Sequence, residues 1–213
     1  MNEQLPAGGV ELSPADLAAL DARWSSCWTP STVAQRLAGL ATPWCVAAGW
    51  ALDLFHGART RAHGDIEIAI PAAGFPEVRA RLTGYAFDAV GGGRIWADAT
   101  PEALAATHQA WLRDPATGDY LLDVFREPHD GDTWICRHDE TIRLPYRDVV
   151  RRTDDGIPYL APELVLLFKA KHTRPKDQED FARTVPLLSA TQRGTLAVLL
   201  ARAHPGHRWL AEL

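Results

Sequence analysis

The sequence has no apolar run of about 18 residues, so no segment reads as a membrane-spanning helix. Cysteine is scarce. The 3 present, Cys27, Cys45 and Cys136, are an odd number at wide spacing, which suits neither a disulfide framework nor a zinc cluster. A reducing, cytoplasmic setting is therefore expected. Basic residues are outnumbered, 22 Lys and Arg against 27 Asp and Glu, for a net charge of −5. That balance argues against nucleic acid as the main ligand, since phosphates need basic patches. It suits a small cationic partner or a metal–nucleotide complex. The opening residues Met1 to Leu5 lack a basic stretch followed by an apolar core, so no secretory leader is expected there. Internal repeats and low-complexity tracts are also missing. What remains is ordinary globular composition, 46% hydrophobic and 23% charged. Its 15 prolines and 8 tryptophans are scattered, which predicts short elements joined by many turns.

The first dozen residues, with Pro6, Gly8 and Gly9, read as loose. Ser13-Pro14-Ala15-Asp16 reads as a helix start: a capping hydroxyl, proline in the first turn and an acid near the positive end. Leu17, Leu20 and Trp24 follow at helical spacing. Thr29-Pro30-Ser31 opens a second short helix ending near Gly39. Trp44 to Ala48 reads as a buried strand and Trp50 to His56 as a helix stopped by Gly57. Ile66, Ile68 and Ile70 alternate with Asp65, Glu67 and Ala69, the period of a strand. A helix from about Phe75 to Leu82 follows. Strands are then predicted over 85–89, 93–97, 108–113, 120–126, 133–137 and 141–144, separated by turn signals such as Gly91-Gly92. From Pro162 onward the chain reads as three helices. The expected class is α+β: a mixed sheet flanked by helices over residues 1–155, then a helical subdomain over 156–213, with the boundary inside Thr153-Asp154-Asp155-Gly156-Ile157-Pro158.

The chemistry concentrates in a few residues. Asp65 and Glu67 stand two apart on an alternating strand, hence on one face. Paired carboxylates repel unless a cation bridges them, and hard oxygen donors suit Mg2+; a solvated strand face is the alternative. Gly49 joins a strand to a helix, where bare backbone and a helix N-terminus admit a phosphate. Asp123 interrupts the apolar stretch Tyr120-Leu121-Leu122-Asp123-Val124-Phe125. A buried charge costs several kcal/mol unless paired, so Asp123 needs an arginine or a metal. Two acids on one strand and a third on a neighbour suit metal-assisted nucleotidyl transfer, with the third acid accepting the proton of the attacking hydroxyl.

The stretch Ala48-Gly49-Trp50-Ala51-Leu52-Asp53, then Gly57, Thr60-Arg61, His63 and Asp65-Ile66-Glu67-Ile68, resembles the polymerase-β-like nucleotidyltransferases. Within them it is most similar to the lincosamide nucleotidyltransferases and the aminoglycoside 2''-adenylyltransferases. A second segment, Lys171, Arg174, Lys176, Asp177 and Asp180, resembles the Lys…Arg-x-Lys-Asp-x-x-Asp segment of minimal nucleotidyltransferases. The resemblance implies that Asp65, Glu67 and Asp123 are the catalytic, Mg2+-holding acids. Gly49, Trp50, Arg61, Lys171 and Lys176 would serve the nucleoside triphosphate. Arg61 fits equally an arginine that orients the Asp65 strand, His63 a scaffold residue, and the tail cluster a helix cap. Two departures stand out: Ala48 occupies the place of the family's first glycine, and Glu67 that of its commoner aspartate.

The resulting expectation is Mg2+-dependent transfer of AMP from ATP to a hydroxyl of a small molecule, an aminoglycoside or lincosamide among the candidates. The protein would be a monomer or homodimer, with no nucleic-acid or membrane partner. A protein of the same fold that is antitoxin-like, or that binds nucleotide without turnover, is the alternative. Trp96, Trp111 and Trp134 read as core packing, as do Cys45 and Cys136. His108, His129 and His138 lack metal-ligand spacing, and Gly91-Gly92-Gly93 reads as a hairpin turn rather than a phosphate loop.

Overall fold

The computed structural model describes residues 5–213. Residues 1–4, on which most of the leader reading falls, and the side chain of Leu17 lie outside what is described. The chain begins with β1 (Val10–Glu11), α1 (Pro14–Arg23), α2 (Pro30–Arg36), β2 (Cys45–Val46) and α3 (Ala48–His56). Next come β3 (Glu67–Pro71), α4 (Phe75–Arg81), β4 (Ala86–Gly91), β5 (Arg94–Trp96), α5 (Pro101–Ala105), β6 (Gln109–Arg113) and β7 (Tyr120–Glu127). The remainder holds β8 (His129–Asp130), β9 (Thr133–Ile135), β10 (Arg143–Pro145), α6 (Tyr146–Val149), β11 (Val150–Arg152) and β12 (Pro158–Leu160). It closes with α7 (Pro162–Ala170), α8 (Pro175–Thr184) and α9 (Ala190–Ala203). Among the described residues, no helix is long and apolar enough to cross a membrane.

Two compact units form, and they interleave along the sequence. The first holds the chain up to Trp44 and residues 63–127; the second holds 45–62 and 128–213. The sequence reading had placed a single boundary near residue 155.

In the first unit the strands run β1-β5-β4-β6-β7-β3. Only β3 and β7 pair in parallel; the other pairs are antiparallel. The alternation of Ile66, Ile68 and Ile70 points those side chains to one face, where they are essentially fully buried. In register with them stand Val124 on β7, then Leu112 and Ala110 on β6, all equally buried. Phe87, opposite Leu112, meets Phe75 of α4 edge to face. On the opposite face, Leu20 of α1 and Trp24, which caps that helix, pack with Val90, Ile95 and Tyr120. The Ser13 cap and its reciprocal Asp16 bond start α1 as its sequence predicts.

Of the segment expected to be loose, residues 6–11 are pinned instead. Val10 pairs with Ile95, and the Trp96 indole donates to the carbonyls of Pro6 and Ala7 at 3.3 and 3.2 Å. Gly9 lies so near that a Cβ there would clash with the Trp96 ring. Gly92 and Gly93, with φ of 57° and 74°, form the tight β4–β5 turn, the backbone that two-residue hairpins require.

The second unit combines β2-β12-β11 and β10-β9-β8 with α3 and α6 to α9. Tyr159 of β12 pairs in parallel with Val46 of β2. The stretch 153–158, where the domain boundary is expected, connects the two strands of the β11–β12 hairpin. The apolar run of α7 is buried along nearly its whole length, and Phe181 of α8 stacks on Trp209 at 4.2 Å. Cys45 and Cys136 are buried, in keeping with packing roles. Trp96 and Trp134 are buried as expected, whereas Trp111 is only partly covered.

Candidate functional site

Strand parity assembles the acids of the first unit. Residues opposite one another in a ladder share a face. Glu67 stands opposite Asp123, Asp123 opposite Trp111, and Trp111 opposite Asp88. Glu67, Asp123, Trp111 and Asp88 therefore form one row across four strands, on the face turned away from the isoleucines. Asp65, two residues before Glu67, precedes β3 and is exposed, Glu67 is half-buried, and Asp123 is only 4% exposed. Neighbouring strands lie about 4.8 Å apart, so Glu67 and Asp123 bring two carboxylates side by side. The donors are all oxygens, the set that Mg2+ prefers. As their side chains stand, no group of three or more His, Cys, Asp and Glu among the described residues makes a complete metal-ligand set. Asp65, two residues before Glu67, shares its strand parity.

The surroundings of Asp123 are specific. Its backbone N–H donates to the Ile66 carbonyl at 2.9 Å, which locks β7 to the residue between Asp65 and Glu67. The Gln109 Nε2 donates to its Oδ2 at 2.7 Å. Along the same row, Asp88 accepts two bonds from Arg113, at 2.8 and 3.1 Å, and one from the Tyr120 hydroxyl at 2.9 Å. Burial, and then the Asp88 charge, push the Tyr120 phenol well above its ordinary pKa. The rings of Trp24, Trp111 and Tyr120 meet at 5.0–5.4 Å. An aromatic wall thus stands beside the carboxylates.

The second unit carries the rest of the predicted residues. Helix α3 starts at Ala48 behind Ala47, whose side chain supplies no cap. The first turn of α3 is therefore not closed by a capping side chain. Ala48 itself adopts φ +48°, the left-handed region in which a Cβ is penalised and glycine is not. Ala48 thus meets under strain a backbone need that a glycine would meet freely. Gly49 is buried in the first turn, and Trp50 carries the Arg59 guanidinium 5.3 Å above its ring. Asp53 fixes the following loop by accepting from the Thr60 N–H at 3.0 Å and the Thr60 hydroxyl at 2.6 Å.

Arg61 is held by a carboxylate, its guanidinium gripping Asp180 at 3.0 and 3.1 Å. Lys169 Nζ bridges Asp177 and Asp180 at 2.9 and 3.0 Å, and Arg174 closes on Asp177 at 2.7 Å. Burial opposes the charge on both acids. The bonds from Arg174 and Lys169 nevertheless hold the Asp177 carboxyl below its usual range, and Arg61 with Lys169 does the same for Asp180. The acids of the tail motif therefore organise Arg61, Lys169 and Arg174. Lys171 and Lys176 are exposed.

Two contributors escaped sequence reasoning. Lys169 interrupts an apolar helix as Asp123 interrupts an apolar strand, so the same burial argument applied to it would have flagged it. Gln109 is uncharged, and nothing in its spacing marks it.

Comparison with known proteins agrees with this architecture. The sequence profile described as aminoglycoside-2''-adenylyltransferase matches residues 31–95, a span that includes Ala48 to Glu67. No protein of curated function matches the chain. Among solved structures, the lincomycin-bound lincosamide antibiotic adenylyltransferase LnuA superposes with a TM-score of 0.52 at 18% identity, covering 74% of this chain and 95% of its own. ANT(2'')-Ia in complex with adenylyl-2''-tobramycin gives 0.54 at 16%, covering 81% and 97%. The solution structure of ANT(2'')-Ia gives 0.51 at 17%, covering 89% and 94%. The chain has the fold of the antibiotic nucleotidyltransferases, an α+β mixed sheet with flanking helices, and its residues 31–95 carry the aminoglycoside-2''-adenylyltransferase pattern.

Proposed function

We propose that this protein is an enzyme that transfers a nucleoside monophosphate, AMP from ATP, to a hydroxyl group of an antibiotic-like small molecule and releases pyrophosphate. The observation that carries the reading is the register of Glu67 against Asp123, with Asp65 two residues before Glu67. This arrangement gathers hard oxygen donors on one sheet face. Asp65, Glu67 and Asp123 would hold Mg2+, which supplies charge neutralisation for the triphosphate. Asp123 accepts the proton of the acceptor hydroxyl as its oxygen attacks the α-phosphorus; the α–β phosphoanhydride bond then breaks and its electrons leave with pyrophosphate.

Backbone N–H groups at the start of α3, beside Gly49, are assigned to the triphosphate, and Lys171 and Lys176 to its negative charge. The Trp50 ring lines a cleft of about 550 Å³ together with Asp53, Arg59, Arg152 and Tyr159, which supports its assignment to the nucleotide. That size falls in the range of small-molecule sites. Arg61, bound to Asp180, is assigned to positioning the loop that leads to Asp65. LnuA and ANT(2'')-Ia bind a lincosamide and an aminoglycoside product respectively. A cationic acceptor of that kind suits a chain of net charge −5. The reaction is placed in the cytoplasm.

Calorimetric titration of ATP, GTP and CTP analogues, with and without Mg2+, tests the reading. One analogue should bind in a metal-dependent way, and Asp65→Asn and Asp123→Asn should each abolish that dependence while the protein stays folded. Metal-independent binding, or unchanged binding in both variants, would refute the assignment.

A further inference from the structure

Gln109 has no place in the reading above, yet its side chain bonds directly to Asp123. Parity explains how. Gln109 stands opposite Phe125 on β7, two residues from Asp123, so its side chain rises from the same face as the carboxylates. From there its Nε2 donates to Asp123 Oδ2 at 2.7 Å. The kind of donor matters. An arginine in this position would settle the buried acid equally well, and two arginines are near in sequence. Both are committed elsewhere: Arg113 to Asp88, and Arg126 to the carbonyls of Leu104 and Thr107 at 2.6 and 2.8 Å. An amide differs from them in one respect. It fixes the direction of a carboxylate and leaves the full negative charge in place for a cation.

We infer that Gln109 is a positioning residue: its amide holds the Asp123 carboxylate oriented for the metal–triphosphate complex. The inference rests on the proposed nucleotidyl transfer. Partners of metal ligands commonly change metal affinity or activity by about 10- to 100-fold when removed, and the same scale is expected here. Gln109→Leu keeps the size and removes the donor. Gln109→Lys keeps a donor and adds a positive charge.

The two possible roles of Gln109 predict opposite orders. If it merely satisfied a buried acid, lysine would restore what leucine loses, because a cation is the better partner for a carboxylate. If it serves a metal site, lysine is the worse replacement, because it cancels the charge that the cation needs.

The experiment is calorimetric titration of Mg2+ into protein holding α,β-methylene-ATP, for wild type, Gln109→Leu, Gln109→Lys and Asp123→Asn. Thermal unfolding is measured alongside. The expected result is an affinity about tenfold or more weaker in the leucine variant, weaker still in the lysine variant, and undetectable in Asp123→Asn. The lysine variant should unfold no earlier than the leucine variant. If Asp123→Asn loses Mg2+ while both Gln109 variants bind as wild type, or if lysine restores affinity, the role of Gln109 is refuted and the site stands. If Asp123→Asn also binds Mg2+ normally, the carboxylate site falls and the role of Gln109 falls with it.

Discussion

Replacing Ala48 by glycine should make this protein more stable, although the change removes a methyl group from a helix start. Ala48 holds φ +48°. For an L-residue the left-handed conformation costs about 1–2 kcal/mol, because Cβ crowds the neighbouring carbonyl. Glycine removes that cost. It also gives the unfolded chain more freedom, which takes back about 0.4–1 kcal/mol. The balance lies between about 0 and 1.6 kcal/mol, a gain of about 0.8 kcal/mol at the middle of the two ranges. For a chain of this length each kcal/mol moves Tm by about 2–4 °C, so differential scanning calorimetry should register a rise of about 1–4 °C. If the two units melt separately, the rise belongs to the transition of residues 45–62 and 128–213, where Ala48 lies. An unchanged or lower Tm would show that the chain relaxes at residue 48 in solution and that the position carries no strain. Strain that persists at the head of a helix is characteristic of functional sites. The same variant should therefore bind the triphosphate at least as well as wild type.

Two further outcomes are expected. Burial, helped by the charges of Arg137, Lys171, His204 and His172, lowers the His138 pKa from 6.5 to about 4. Because the folded value lies below the unfolded one, stability is full above pH 6.5 and is lost as the pH falls toward 4. The loss between pH 7 and pH 5 is about 2 kcal/mol by proton linkage. Urea unfolding of wild type and His138→Phe at both values checks this; the variant should lose less, and an equal loss would clear His138. Lys169→Ala leaves Asp177 and Asp180 without their shared cation. Breaking a buried pair of this kind costs about 3–5 kcal/mol, to be read from the denaturant midpoint, and a cost under about 1 kcal/mol would mean that Arg61 and Arg174 suffice.

Much of the fold was legible where the sequence states a physical conflict or a period. Ile66, Ile68 and Ile70 marked β3 because alternation has one reading. Ser13 marked the start of α1, Gly91 to Gly93 marked a turn, and the out-of-place charge of Asp123 marked a residue in need of a partner. The elements that were missed are those whose reason lies elsewhere in the chain. The two-residue strand β1 exists because Ile95 and Arg94 offer it an edge. The β11–β12 hairpin exists because Val46 offers Tyr159 another. The tail motif showed its residues but not their pairing: the partners of Asp177 and Asp180, Lys169 and Arg61, come from folding. Gln109 was illegible for a different reason. A neutral amide costs little to expose and leaves no conflict to notice.

The interleaving of the units sets the order in which this protein can be made. The second unit needs β2 and α3, which leave the ribosome early, together with everything after Glu127. Its sheet closes only when Tyr159 returns to Val46. The first unit is complete once residue 127 has emerged, so it can fold while synthesis continues. During that interval the partners that residues 45–52 have in their own unit, from Pro128 onward, are still missing. A fragment ending near residue 155 would never gain Tyr159, the partner of Val46. Attempts to express the first unit alone should therefore remove residues 45–62 with a short linker rather than truncate the chain at its C-terminal end.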